Sequence, residues 1–361
     1  MRILQIINSL SIGGAEKLIV DTVPLYQLKG IETDVLLLQN KKTSFWDELK
    51  LISKGSITGL TTNSIYNPFL IFKIIPYLKK YDLVHLHLFP ALYWVVLAKV
   101  FSLSSVALVY TEHNTNNRRR NSIFWRVLDR FIYSKISVIV TIAEEVDENL
   151  KEHLNFPGSK FKLINNGVDV SLYSNAVAYN KQDFFLNNDF LLIQVSSFRW
   201  QKDQPTLIKS LKFLPPNVKL LLVGEGDSKS DCINLVKELG LENRVRFLGN
   251  RNDVPQLLKT ADVVVLSSKH EGLSLSNIEG MSVKRPFIGS NVPGIREVVK
   301  GHGLLFNQGD EKELANLITT LMTNPEFYQE TVTTCFERAK EFDINKMVAE
   351  YIKLYKEVLN V

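Results

Sequence analysis

Short runs of Val, Ile and Leu alternate with amphipathic helical patterns along almost the whole chain. Buried parallel strands have continuous apolar runs of this kind, and each parallel strand needs a long crossover, usually a helix, to reach the next. The pattern therefore predicts an α/β fold with doubly wound parallel sheets. The predicted strands are 2–7, 34–38, 83–87, 106–110, 137–141, 191–196, 218–223, 245–248, 262–266 and 286–289.

The number of predicted strands exceeds what one sheet of usual size contains, and 361 residues are enough for two domains. Residues 175–189 lose their periodicity and gain Asn and Asp, as linkers do. We therefore expect one doubly wound domain over 1–180 and a second over 181–342. The final segment, 343–361, has the pattern of an amphipathic helix with no strand after it.

Composition excludes several classes of protein. Hydrophobic residues make up 45% and charged residues 22% of the chain, which is typical of a globular protein and unlike a disordered or collagen-like one. Cys232 and Cys335 are too few for a disulfide scaffold and are expected to be thiols in a reducing compartment. The opening residues lack a signal-peptide pattern, and the longest apolar stretch, 92–110, falls short of a membrane helix. We expect a cytoplasmic protein.

The net charge of +5 is concentrated in one region. Residues 99–135 contain seven basic and two acidic residues, which could account for the whole imbalance. Such a patch suits an anionic surface or an anionic ligand. Arg118, Arg119 and Arg120 form its centre and could contact lipid headgroups or a diphosphate, or could form only a solvated loop.

The helix predicted after these arginines could lie on a membrane surface. Arg126 and Arg130 are four residues apart and share a face, while Trp125 could lie at its edge as an interfacial anchor. The competing interpretation places Phe124 and Phe131 in the core and leaves only the arginine loop exposed.

Ligands of open α/β sheets bind outside the carboxyl ends of the strands, so the residues that follow each strand are candidates. Gly13 and Gly14 follow the first strand and would let backbone N–H groups approach an anion at a helix start, or would only form a tight turn. His113 follows the strand at 106–110 and would either face a cleft or be structural.

Two cations follow the first strand of the second half. Arg199 and Lys202 precede a helix and could neutralise a diphosphate, although an exposed loop explains them equally well. Gly224 and Gly226 also follow a strand but lack the third glycine of a dinucleotide fingerprint, so we interpret them as a turn.

The richest stretch follows the strand at 262–266. Glu271 lies in the loop and Glu279 about one turn inside the next helix, so two carboxylates flank a helix start. This arrangement could hold sugar hydroxyls, phosphates and vicinal ribose hydroxyls in turn, although a capped helix with two surface glutamates is the alternative. The residues between the carboxylates include Gly272, Leu273, Ser274, Leu275 and Ser276.

The two glutamates in HEGLSLSNIEGM resemble the signature of the group 1 family of retaining GT-B glycosyltransferases. Other segments resemble the same family in the same order along the chain. They are GGAE at 13–16, TEHN at 111–114, NNGVD at 165–169, QKD at 201–203, VGEGD at 223–227, FLGNRNDV at 247–254, and the later NVPGIREVV and GLLF.

This resemblance implies two Rossmann-like domains facing across a cleft, with the acceptor in the first, the nucleotide sugar in the second and the last helix crossing back to the first. It implies that Glu271 contacts donor sugar hydroxyls, Glu279 the ribose and Lys202 the diphosphate. The same resemblance assigns Gly13 and Gly14 to the donor phosphate and His113 to the reaction centre. The family usually has Arg where Ser197 stands, so Arg199 is only a candidate substitute.

The function implied is a metal-independent retaining transfer of a hexose or N-acetylhexosamine from a nucleoside-diphosphate sugar, expected to be UDP-linked. The implied acceptor is a lipid-linked glycan on an anionic membrane surface, in lipopolysaccharide or capsule synthesis. No cofactor is expected, and no Asp-x-Asp metal motif lies at a strand end. A sugar-nucleotide epimerase of the same fold is the alternative. A nucleic-acid or lipid-binding module is a third hypothesis, although the two carboxylates would repel nucleic-acid phosphates.

Overall fold

The computed structural model describes residues 1–11, 13–113, 122–185, 189–271 and 274–360. The chain forms two compact units: unit 1 comprises Met1–Gly167 and Ile344–Val361, and unit 2 comprises Val168–Asp343. Each unit has one parallel sheet with helices, so the predicted α/β class with two doubly wound domains is confirmed. The last helix belongs to unit 1, as the resemblance implies.

The division between the units falls earlier in the chain than the predicted boundary after residue 180. The segment predicted as a linker is attached to unit 2 instead. The amide of Tyr179 donates to Thr260 Oγ1 at 2.8 Å, and Lys181 Nζ lies 2.5 Å from Asp262 Oδ2. Polar residues without periodicity therefore mark irregular structure here and not a domain boundary.

Unit 1 contains a seven-stranded parallel sheet in the order β3-β2-β1-β4-β5-β6-β7. Its strands are β1 (Arg2–Ile7), β2 (Glu32–Gln39), β3 (Ile57–Thr61), β4 (Leu83–His87), β5 (Ala107–Glu112), β6 (Val138–Thr141) and β7 (Phe161–Leu163). Its helices are α1 (Gly14–Leu28), α2 (Ser44–Ile52), α3 (Leu70–Leu78), α4 (Ala91–Ser102), α5 (Ile123–Ser134), α6 (Glu144–Leu154) and the last helix of the chain, α15 (Ile344–Leu359).

Unit 2 contains a six-stranded parallel sheet in the order β10-β9-β8-β11-β12-β13. Its strands are β8 (Phe190–Val195), β9 (Val218–Val223), β10 (Val245–Gly249), β11 (Val263–Leu266), β12 (Phe287–Ser290) and β13 (Leu304–Phe306). Its helices are α7 (Val170–Ser174), α8 (Gln204–Ser210), α9 (Lys229–Glu238), α10 (Val254–Thr260), α11 (Leu275–Ser282), α12 (Arg296–Val299), α13 (Glu311–Thr323) and α14 (Pro325–Glu341).

Local sequence explains where several helices begin. Thr43 Oγ1 accepts the amide of Trp46 at the start of α2, and Asp310 caps α13 through two backbone amides. Asn324 caps α14, and the first residue of this helix is Pro325. The missing N–H of proline costs no hydrogen bond there, because the first amides of a helix have no partner within it. In the described parts of the chain, no helix is both long and apolar enough to cross a bilayer.

Gly280 lies in the middle of α11 because the sheet leaves no room for a side chain there. A Cβ at this position would lie 2.7 Å from Phe287 Cδ2 and 2.8 Å from Val264 Cγ1. Both neighbours are in the buried core of unit 2. The close approach of α11 to β11 and β12 therefore requires glycine, although glycine weakens a helix interior.

We expect Gly280→Ala to destabilise the protein by about 1–3 kcal/mol, because the rigid Phe287 ring must move to admit the methyl group. The free energy of unfolding from urea denaturation measures this effect. Gly158→Ala is the matched control, because its Cβ would meet nothing within 4 Å. Equal stability of the two variants would contradict the packing explanation.

Candidate functional site

In both sheets the strand order reverses between two neighbouring strands, which is where ligands of open α/β sheets bind. In unit 1 the reversal lies between β1 and β4, and in unit 2 between β8 and β11. The polar residues that follow these strands form two separate sets, one in each unit.

In unit 2, the loop after β8 is fastened to the end of β11. The carbonyl of Lys202 accepts from Gln194 Nε2 at 3.0 Å and from Ser267 Oγ at 3.3 Å. Ser267 Oγ also lies 2.8 Å from the carbonyl of Asp203, whose backbone is left-handed at φ +44°. These buried side chains fix the short helical turn Trp200–Lys202 against the sheet.

The result is an ion pair between two of the predicted site residues. Lys202 Nζ lies 2.5 Å from Glu271 Oε1, and Ser268 Oγ donates to the same oxygen at 2.5 Å. Glu271 is 8% exposed, so this carboxylate is largely withdrawn from water. A charge buried to this extent needs its partner, and removal of the partner destabilises a protein strongly.

A second, looser pair lies beside the first. Lys269 Nζ lies 3.7 Å from Asp203 Oδ1, and burial raises the pKa of the Asp203 carboxyl. Lys269 also lies 5.8 Å from the ring centre of Trp200, whose ring is exposed. The end of this sheet therefore presents two lysines and an aromatic ring on well-anchored loops.

The helix start predicted to hold phosphates is present. α11 begins at Leu275 after Ser274, whose side chain makes no capping hydrogen bond. Ser276 and Glu279 are half-buried in its first two turns. Gly272 and Leu273 lie outside the described residues.

Arg199 is not brought to the ion pair. Its side chain is exposed and makes no hydrogen bond or ion pair with any residue in the described ranges. Ser197, at the position of the expected arginine, is half-buried, and its carbonyl accepts from Gln204 Nε2 at 3.0 Å. Lys202 and Glu271 therefore contact each other, and the Arg199 side chain makes no polar contact with either.

Gly224 and Gly226 belong to a turn, as the sequence suggests. Both have positive φ angles, +134° and +151°. A Cβ at Gly224 would lie 2.2 Å from the carbonyl oxygen of Ser196, and one at Gly226 would lie 2.3 Å from that of Phe198. The glycines let the turn after β9 pack against the loop that carries Lys202.

In unit 1, the corresponding set contains three histidines: His85, His87 and His113, which we call the histidine cluster. His85 is paired in register with Gln5 of β1, and His87 with Thr111 of β5. Because side chains alternate along strands, all of these residues lie on one face of the sheet.

The histidine cluster is connected by hydrogen bonds. His113 Nε2 lies 3.0 Å from His87 Nδ1, and His87 Nε2 lies 2.8 Å from Gln5 Oε1. His85 Nδ1 lies 2.7 Å from the hydroxyl of Tyr355, and His85 Nε2 lies 2.7 Å from Thr111 Oγ1. The last helix therefore supplies one end of this network.

Burial keeps these imidazoles neutral. It lowers the pKa of His85 to about 3 and that of His113 to about 4, and it lowers the pKa of His87 well below its usual value. In the described parts of the chain, no three His, Cys, Asp or Glu side chains are arranged as metal ligands. The cluster can accept and donate hydrogen bonds near neutral pH without carrying charge.

Sequence reasoning identified His113 but missed His85, His87 and Gln5. The signal was available in the segment LVHLH, where two histidines two residues apart interrupt a strand that is otherwise apolar. Two polar side chains on one face of a buried strand need partners, and such pairs indicate a polar network.

Gly13 and Gly14 lie where the sequence predicts, at the start of α1. Gly13 is extended with φ −173°, and the helix begins at Gly14 without a side-chain cap. The arginines at 118–120 fall outside the described residues.

Trp125 is not an exposed anchor. It is half-buried, packs against the core and lies 6.4 Å from the ring centre of Tyr93. Phe124 and Phe131 are 69% and 43% exposed, so the interpretation that places them in the core is also wrong. α5 therefore exposes these two phenylalanines to solvent and packs the tryptophan against the core.

Two family models match consecutive parts of the chain. The model described as Glycosyltransferase Family 4 matches residues 12–172, and the one described as Glycosyl transferases group 1 matches residues 178–340. Together they cover nearly all of both units. The chain belongs to the group 1 glycosyltransferases.

Curated relatives of this glycosyltransferase differ in their acceptors. This chain is 28% identical over 291 residues to N-acetyl-alpha-D-glucosaminyl L-malate synthase of Bacillus anthracis, and the match covers 77% of this chain and 75% of the relative. It is 25% identical over 369 residues to N-acetylgalactosamine-N,N'-diacetylbacillosaminyl-diphospho-undecaprenol 4-alpha-N-acetylgalactosaminyltransferase of Campylobacter jejuni, covering 96% and 97%.

The fold of this glycosyltransferase matches a solved structure over nearly its whole length. The crystal structure of Anabaena HepE in complex with UDP-glucose superposes with a TM-score of 0.84 at 25% identity, covering 98% of this chain and 99% of that one. The two-unit α/β architecture is therefore the GT-B fold.

We expect the stability of this glycosyltransferase to fall as the pH is lowered from about 7.5 to 4.5, partly through the histidine cluster. Because the folded pKa of His85, about 3, lies below the 6.5 of a free histidine, the unfolded chain binds the proton first. The stabilisation is complete above pH 6.5 and is lost by about 1.4 kcal/mol per pH unit below it for each such histidine.

Urea denaturation of wild type and His85→Gln at several pH values measures this contribution. The variant should be less stable at pH 7.5, and the difference should shrink as the pH falls. His270→Gln, which changes an exposed histidine, is measured in parallel as the control. A difference in unfolding free energy between wild type and His85→Gln that does not vary with pH would contradict the proposed contribution of His85 to the pH dependence.

Proposed function

We propose that this protein is a retaining, metal-independent hexosyltransferase or N-acetylhexosaminyltransferase that uses a UDP-sugar and a lipid-linked glycan acceptor in surface polysaccharide synthesis. The observation that carries the proposal is the Lys202–Glu271 pair, placed outside the carboxyl ends of β8 and β11. Unit 2 would bind the donor and unit 1 the acceptor.

Unit 2 has the groups that a departing diphosphate needs. Negative charge grows on the diphosphate as the glycosidic bond breaks, so a fixed cation there stabilises the transition state more than the ground state. Lys202 would supply this cation, and the start of α11 would supply backbone N–H groups. Glu271 would accept hydrogen bonds from sugar hydroxyls, and Glu279 would hold the ribose diol.

The choice of donor and acceptor is supported by the relatives. HepE has been crystallised with UDP-glucose, and the Campylobacter relative acts on a diphospho-undecaprenol acceptor according to its name. We therefore propose UDP as the nucleotide and a lipid-linked saccharide as the acceptor.

For the chemical step we assign no protein nucleophile. The β-phosphate of the donor would take the acceptor proton on the face from which it departs, which keeps the anomeric configuration. NMR of the product tests retention, and activity that persists in excess chelator tests metal independence. Consumption of the donor to an epimer in the absence of any acceptor would favour the epimerase instead.

The membrane association that we propose keeps the predicted helix with Arg126 and Arg130 and adds an apolar stripe that the sequence analysis did not identify. Phe124, Val127 and Phe131 form an exposed apolar stripe along one face of α5, at positions i, i+3 and i+7. Arg126 and Arg130 are exposed on the same helix. An apolar stripe with flanking cations suits an interfacial helix on an anionic leaflet.

We expect Lys202→Ala to weaken UDP-sugar binding by about 1.5–3 kcal/mol, because a charge-assisted contact is lost, and to lower kcat as well. Calorimetric titration and steady-state kinetics measure the two effects. Arg199→Ala in the same assays shows whether this exposed arginine reaches the diphosphate.

Lys181→Ala is the matched control for Lys202→Ala. It removes a pair of the same N–O distance, 2.5 Å, with Asp262, which lies at the opposite end of β11. Both variants should lose some stability, but only Lys202→Ala should lose donor affinity. Equal donor affinity in the two variants would refute the proposed site.

We expect Phe131→Ser to reduce binding to anionic liposomes several-fold, because it removes apolar area from the α5 stripe. Flotation with anionic and neutral vesicles at low and high salt measures this. Phe213→Ser is the matched control, since Phe213 of unit 2 is also exposed and also has a lysine over its ring, Lys312 at 5.7 Å against Lys135 at 5.3 Å. Equal losses in the two variants, or equal binding to neutral vesicles, would exclude the membrane role of α5.

A further inference from the structure

The tautomer of His113 is linked to that of its neighbour. Nε2 of His113 lies 3.0 Å from Nδ1 of His87, and both rings are neutral because burial lowers the pKa of each. A hydrogen bond between two neutral imidazoles requires one nitrogen to donate and the other to accept. The proton position on His87 therefore determines the proton position on His113.

Gln5 determines the proton position on His87. Its Oε1 lies 2.8 Å from His87 Nε2, and its Nε2 donates to the hydroxyl of Tyr355 at 3.4 Å. An amide oxygen only accepts, so His87 Nε2 carries the proton and His87 Nδ1 is the acceptor. His113 then donates through Nε2, which leaves its Nδ1 without a proton.

The opposite arrangement requires the Gln5 amide to be turned over, and the distances disfavour it. The Tyr355 hydroxyl would then have to donate to Gln5 across 3.4 Å, which exceeds the usual O–H···O range by about 0.4 Å, whereas an amide N–H at that distance exceeds its own range by about 0.2 Å. In the orientation described, the same hydroxyl is free to donate to His85 Nδ1, which lies 2.7 Å away. The hydroxyl proton of Tyr355 is better used at 2.7 Å toward His85 than at 3.4 Å toward Gln5. The orientation of the Gln5 amide therefore follows from the position of α15, which carries Tyr355.

The surrounding space shows that Gln5 and His87 do not themselves receive a substrate. They line, with His85 and His113, a cavity of about 20 Å³ under α1 and α15. That volume accommodates about one water molecule and is far too small for a sugar. His87 and Gln5 are also buried, whereas His113 is half-buried.

We propose that Gln5 and His87 are positioning residues that hold His113 as its Nε2–H tautomer, so that His113 Nδ1 accepts a hydrogen bond from a sugar hydroxyl of the substrate. The substrate part of this inference rests on the proposed function. The tautomer does not, because it is a property of the free protein.

The first test is a long-range proton–nitrogen NMR correlation on protein labelled with nitrogen-15 in its six histidines. Signals are assigned with single histidine variants. At neutral pH, His113 should show a protonated Nε2 and an unprotonated Nδ1. Gln5→Met, which removes the amide but keeps the length of the side chain, should convert both His87 and His113 to tautomer mixtures.

The second test separates positioning from a general loss of structure. His87→Asn keeps an acceptor near the position of Nδ1 and should retain the His113 tautomer, whereas His87→Leu should lose it. His153→Asn is the matched control, because His153 is also buried in unit 1 but bonds to Asp129, outside this network. It should leave the His113 signals unchanged.

In the transferase assay, Gln5→Met should lower kcat about tenfold with little change in the donor KM, and should have no further effect in a His113→Ala background. His113 found protonated at Nδ1, or a Gln5→Met variant with wild-type tautomers, would overturn the inference even in an active enzyme. A wild-type protein without transferase activity would overturn the proposed function and the substrate role together, while the NMR result would still decide the tautomer.

Discussion

A polar face buried inside unit 1 must find its hydrogen-bond partners in the helices that cover it. Gln5 and His85 lie on that face with almost no exposure, and a buried polar group without a partner costs about 1–3 kcal/mol. α15 supplies the partners: the hydroxyl of Tyr355 meets His85 and Gln5, and that of Tyr351 lies 3.0 Å from Thr111 Oγ1. An apolar helix of the same length would leave His85 Nδ1 and Gln5 Nε2 without these partners. The return of the chain to unit 1 is therefore a chemical requirement as well as a matter of packing.

The architecture was predictable because parallel sheets buried on both faces need long apolar strands, and these strands are visible in the sequence. The strands that were missed are β3, β7 and β13, which lie at the sheet edges. β7 and β13 contain three residues each, and β3 is only half-buried, so none has a long run of buried apolar residues. Edge strands are determined by the neighbour they pair with, and single-chain patterning carries little of that information.

The candidate site was predictable to different degrees in the two units. Lys202 and Glu271 lie in the segments that follow β8 and β11, so position in the chain pointed to them before any contact was known. His85, His87 and Gln5 lie inside strands, where polar residues are easily attributed to local exposure. Their role depends on register between β1, β4 and β5, which only the folded chain defines. The orientation of α5 was also beyond sequence reasoning, because its apolar residues occupy more of its circumference than the core can cover.

If unit 2 binds a diphosphate, as we propose, the Lys202–Glu271 pair explains why its site contains a buried carboxylate. A lysine held beside a sheet end without a counter-charge would be solvated and mobile, and its ordering would oppose donor binding. Glu271 and Ser268 hold the ammonium in place beforehand. Under the proposed function, a diphosphate would compete for Lys202 and leave Glu271 to the hydroxyls of the sugar, with Ser268 still bonded to the carboxylate. The Glu271 carboxylate would then exchange the ammonium for hydrogen bonds from the sugar hydroxyls, while Lys202 pairs with the diphosphate. Under the same proposal, a nucleotide without its sugar would take Lys202 and offer Glu271 no replacement, so the pair would favour the intact donor over the product.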